Sequence, residues 1–169
     1  MNEQGRAVAT RSTIVVSIVG ILAVVAYAVW GAVQVMILTP MVAVPGLTIR
    51  EIRAAMSAAG ESPSDVAIWI FVGLGVALAV MVALIAIRSG IQPELTALLF
   101  LGVLTFGAPA LFIASFGWGM ALADTFGVSG GITAPGMAVV YLVSALAGAG
   151  SIVLGVIFVM RSRHVAVTI

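Results

Sequence analysis

Charged side chains are so sparse in this sequence that they cut it into four long uncharged stretches, residues 12–49, 66–87, 95–123 and 125–160. A hydrocarbon layer about 30 Å thick needs roughly 20 apolar residues at 1.5 Å per residue, and each stretch contains such a core. The expected crossings are 12–38, 66–87, 95–116 and 136–160. These runs are continuously apolar, whereas the strands of a membrane barrel alternate in segments of about ten, so helices are expected. The predicted fold is an all-α integral membrane protein, a four-transmembrane-helix bundle forming a single domain over residues 1–169.

Composition narrows the function classes. Hydrophobic residues make up 63% of the chain and charged residues 8%, against about a quarter charged in a globular protein. Seven arginines, no lysine and six acids are too few to cover a surface in water. A net charge of +1 provides no field for a polyanion, so nucleic acid is not an expected partner. Without cysteine the chain has no disulfides, thiolate metal sites or cysteine nucleophile.

Helix ends are marked by familiar local chemistry. Ser62-Pro63-Ser64-Asp65 predicts that the second helix starts at Pro63 behind a Ser cap, and Arg88-Ser89-Gly90 ends it. Gln92-Pro93-Glu94 starts the third helix, giving a tight antiparallel hairpin. Thr133-Ala134-Pro135 starts the fourth, and Arg161-Ser162-Arg163 closes it. Ala26-Tyr27-Ala28 resembles a signal cleavage site, but the apolar run continues through Val35 and Leu38, so retention as a span is expected.

Arginine placement predicts the orientation. With both termini on one side, Arg6, Arg11, Arg88, Arg161 and Arg163 oppose Arg50 and Arg53. The positive-inside rule then puts both termini and the 88–94 turn in the cytoplasm, with 39–65 and 117–135 outside. An inner-membrane location follows, and the Ala-, Val-, Gly- and Arg-rich, lysine-free composition suggests a bacterial source.

The predicted external segment 39–65 contains an amphipathic helix over about 48–59. Thr48 and Glu51 have capping-box spacing, and Ile49, Ile52 and Met56 share one face while Arg50, Arg53 and Ser57 share another. Arg50, Glu51 and Arg53 are candidate partner contacts; the alternative is a helix packed on headgroups or on the tops of the spans. The Gly-rich stretch 117–135, with Trp118, Phe116 and Phe126, reads as an interfacial surface loop, a re-entrant loop being the alternative.

Two stripes of small residues are candidate helix-packing grooves: Gly75, Ala79 and Ala83, and Ala147, Ser151 and Gly155, with Ser144 and Gly148 alongside the second. Pro109 is a candidate hinge, expected to kink the third helix near Thr105. Gln34, near Trp30, is expected to reach the interface or to bond a neighbouring helix.

Intramembrane chemistry needs an ionisable or metal-coordinating group at depth, and the expected cores contain no acid, base or histidine. His164, the only histidine, lies beyond the last expected span. No catalytic residue, metal ligand or cofactor site is therefore expected. The Gly73-Leu74-Gly75 run lacks both the third glycine and the strand-turn-helix setting of a dinucleotide fingerprint. The expected function is that of a non-catalytic accessory or scaffold subunit of a larger membrane complex. Its partners would be the bilayer and other membrane subunits or a second copy. The alternative is a small oligomeric channel or solute facilitator lined by Thr105, Ser115, Ser144 and Ser151.

Overall fold

The computed structural model describes residues 3–166, with side chains placed from Arg11 to Met160. Every regular element among the described residues is helical. Helix α1 (Glu3–Val33) passes through a π-helical turn (Gln34–Leu38) into α2 (Thr39–Ala43), and α3 is the short helix Ile49–Ala58. Then follow α4 (Val66–Arg88), α5 (Pro93–Thr105), α6 (Gly107–Phe126) and α7 (Met137–Ala166). Four helical stretches are long and apolar enough to cross a membrane: Arg11–Ala43, Val66–Arg88, Pro93–Phe126 and Met137–Met160.

Local chemistry sets most boundaries. The Thr48 hydroxyl accepts the Glu51 N–H while the Glu51 carboxylate accepts the Thr48 N–H at 2.7 Å, a complete capping box. α3 and α4 end alike: the N–H of Glu61 reaches back to the Met56 carbonyl, and that of Ile91 to Ala86. Each of these closures requires a left-handed residue just before it, and Gly60 (φ +82°) and Gly90 (φ +62°) supply it.

Four boundaries differ from the sequence expectation, the first being that the opening crossing runs on through α2 to Ala43 instead of ending at Leu38. α4 begins at Val66 rather than Pro63, because the Ser64 hydroxyl takes the Val66 N–H and the Asp65 carboxylate turns to Arg53 instead of capping. The third stretch continues to Phe126 instead of ending at 116, so the expected loop 117–135 is helical over its first part. Helical backbone has no need to end where glycines appear if the flanking Trp118, Ala121 and Leu122 are buried by neighbours, as they are here. α7 runs past the Arg161–Arg163 end signal to Ala166; the Arg161, Arg163 and His164 side chains, like that of Arg6, lie outside the described residues.

α1 packs along α4 and also along α5, and α5 packs along α7. Small side chains make these contacts. Ala79 and Ala83 are buried with Val24 and Phe100, and an added Cβ at Gly20 would run into the Phe100 ring. Large side chains do the opposite: Leu22, Ile70, Ile113 and Ile152 are 61–74% exposed or close to it, at 63%, 61%, 74% and 70%. The α1 start and the 88–93 turn share one end, tied by Thr13 donating to the Ile91 carbonyl at 2.9 Å. At the other end α2 meets the start of α7, where the Ala134 N–H donates to Thr39 at 3.2 Å.

Gly20→Val should destabilise the fold by about 1–3 kcal/mol through overpacking against Phe100. Gly73→Val, where an added side chain meets open space, should change stability by less than about 0.5 kcal/mol. Reversible unfolding in mixed micelles measures both.

Candidate functional site

The most elaborate polar arrangement lies where α5 gives way to α6. A continuous helix would bond the Ala108 N–H to the Leu104 carbonyl four residues earlier. Instead the Ser144 hydroxyl of α7 stands between them, donating to the Leu104 carbonyl at 2.7 Å and accepting the Ala108 N–H at 3.1 Å. Its single proton is committed to Leu104, so the 2.8 Å contact with Tyr27 has the tyrosine hydroxyl as donor. Three helices thus meet at one oxygen.

Neighbouring residues explain why the break falls here. Pro109 has no N–H for the Thr105 carbonyl, which weakens the ladder at the same turn. Gly107 lets the Tyr27 ring lie directly on the α6 backbone, since a Cβ there would overlap the ring. Thr105 donates to its own Leu101 carbonyl at 2.7 Å and rests on Gly148 of α7. The sequence places a kink near Thr105 from Pro109 with Gly107 nearby. The Tyr27–Ser144 wedge carried no local signal, because its members are 117 residues apart.

The four hydroxyl residues considered as a channel lining do not face one lumen within the chain. Thr105, Ser115 and Ser151 each donate to a carbonyl of their own helix, and Ser144 fills the break. A cavity of about 40 Å³ touches Ser115, together with Thr39, Thr133 and Trp118. It has room for about one water.

A second cluster roofs one end of the bundle. α3 turns Ile52 and Met56, both fully buried, onto Ala43, Ile68 and Trp118. Arg53 reaches Asp65 at 3.1 and 3.5 Å, and its guanidinium carbon stands 4.5 Å above the Trp118 ring centre. Trp118 was expected at an interface; it is 2% exposed, because α3 covers it. Of the candidate partner contacts, Arg50 and Glu51 are exposed while Arg53 is engaged inside the chain. The Thr48 N–H and then its hydroxyl hold the Glu51 carboxyl below its ordinary range.

Some buried polar atoms have no partner among the described residues: both amide atoms of Gln34, the Trp118 Nε1, and the hydroxyls of Ser17 and Thr125. Gln34, expected at an interface or on a neighbouring helix, is fully buried and its amide lies against Gly136. The small-residue stripes divide. Gly75, Ala79 and Ala83 face α1, where Gly75 lies opposite Val24. Ala147 is buried, Ser151 is half-buried, and a side chain added at Gly155 would meet open space. Asp124 and Glu94 are exposed at helix ends. No three His, Asp or Glu side chains gather among the described residues.

No family model matches the sequence, and comparison with curated proteins and with solved structures returns no match.

A double-mutant cycle of Tyr27→Phe and Ser144→Ala should give a coupling of about 0.5–1.5 kcal/mol. Ser144→Ala alone should be the more harmful of the two, because it strands the Leu104 carbonyl and the Ala108 N–H as well as the tyrosine hydroxyl. Unfolding free energies in mixed micelles measure the cycle.

Proposed function

We propose that this chain is a non-catalytic, multi-pass protein of the bacterial cytoplasmic membrane that serves as an accessory or scaffold subunit of a larger membrane complex. The placement of small residues inside and large apolar ones outside supports insertion, since lipid offers no penalty for exposed Leu, Ile and Phe. In this reading both termini and the 88–94 turn are cytoplasmic, and α3 lies on the external surface.

The observation that carries the scaffold role is an outward-facing groove of about 470 Å³ between α4 and the α5–α6 break. Ile70, Leu74, Val103, Phe106 and Ile113 wall it, and Gly75, Gly107 and Ala110 are small residues along its lining. A partner helix packing there would gain close van der Waals contact along small residues. The hydroxyls of the third and fourth crossings meanwhile bond within the chain, which favours a subunit over a conduit.

Tagged protein extracted from its native membrane in mild detergent should bring a larger subunit with it. Ala110→Trp, which fills the groove from an exposed position, should abolish that association and leave the fold intact. Recovery of a single species that conducts solute in liposomes would support the channel instead, and a single inert species would defeat both ideas. Because the chain has no native cysteine, orientation is open to single-cysteine labelling. Cysteines at the exposed Ser57 and Ser129 should react with an impermeant maleimide on intact spheroplasts, and one at Ser89 should react only after lysis.

A further inference from the structure

A second groove, of about 360 Å³, lies between α1 and α4 directly beneath α3. Val29, Val33, Ile37, Trp69 and Val72 line it, and among the described residues the only charged one in the lining is Arg53 at its roof. We infer that this groove binds a phospholipid of the surrounding bilayer, with an acyl chain in the slot and the phosphodiester on Arg53. The inference rests on the membrane reading given above.

Donor accounting supports the headgroup assignment. A guanidinium has five N–H donors, and the ion pair with Asp65 takes two of them. The remaining donors sit on a side chain that is 40% exposed and held in place by the Trp118 ring. A planar fork of this kind fits the oxygens of a phosphodiester. Arg50, one turn earlier on the same face of α3, is exposed and has no ion-pair partner among the described residues. Trp69, 60% exposed at the rim, belongs at headgroup depth.

Size decides between a lipid chain and a partner helix. From Val29 to Ile37 the slot follows α1 for roughly 12 Å at 1.5 Å per residue, and Ile49 and Arg53 of α3 close one end of it to a helix that crosses the whole layer. One acyl segment fits and a crossing helix does not. The local charges are balanced rather than positive, because Asp65 faces Arg53 and the acids Glu51 and Glu61 belong to the same stretch of chain. Recognition therefore depends on the phosphodiester and not on net lipid charge.

Native mass spectrometry of delipidated protein in maltoside tests this with three dipalmitoyl probes: phosphatidylglycerol, phosphatidylcholine and diacylglycerol. Both phospholipids should bind at one tight site, and diacylglycerol, with the same tails and no phosphate, at least about tenfold more weakly. Val29→Trp, which fills the slot from a half-exposed position, should remove the tight site while circular dichroism stays unchanged. Arg53→Lys, keeping the charge but losing the fork, should weaken it as well. Equal binding of diacylglycerol, or a tight site surviving in Val29→Trp, would overturn the assignment. Failure of the membrane reading looks different: the protein would then be recovered from cells without detergent.

Discussion

A helix that breaks away from water must still satisfy its backbone, and in this protein that requirement is met by a side chain from a different helix. The Ser144 hydroxyl gives a proton to the Leu104 carbonyl and receives one from the Ala108 amide, replacing one ladder bond with two. Tyr27 completes the oxygen's capacity. α1, α7 and the α5–α6 junction therefore meet at a single atom, and the outward groove runs past Phe106 at the same interruption. A proline alone would bend α5–α6 in a direction set by its own sterics; the serine and tyrosine choose where the bend points.

The rest of the bundle follows from residue size. Glycine and alanine occupy the contacts between α1, α4 and α5, which lets those helices approach until Phe100 lies against Gly20. At one end α3 adds a conventional buried core of Ile52, Met56, Ile68 and Trp118, fastened by the Arg53–Asp65 pair. A partly exposed ion pair contributes little by itself. Its value here is geometric, because it holds the guanidinium over the indole and so fixes how α3 sits on α4 and α6.

Much of the architecture could be read from the residues. The gaps between charges located the four long helices, since burying a charge costs far more than any local propensity returns. Thr48 and Glu51 located the start of α3 because a capping box is a contact between neighbours in the chain. What escaped reading depends on residues far apart. Glycine at 117 and 119 suggested a loop, yet burial of Trp118 under α3 keeps that segment helical. Asp65 fell inside the helix expected to start at Pro63, yet it precedes α4 and is a partner for Arg53. Pro109 signalled a disturbance near Thr105, whereas the identity of the inserting hydroxyl required the position of α7.

The π-helical turn at Gln34–Leu38 has a consequence for how α1 and α2 present themselves. One surplus residue in that turn sets every later side chain back by about 100° relative to an uninterrupted spiral. Thr39 meets the Ala134 amide in this shifted phase, so the two halves of this first long rod obey separate angular frames. A stripe traced straight along it would change faces at Gln34, and excising a single residue from the turn would swing α2 and the α3 roof out of alignment together.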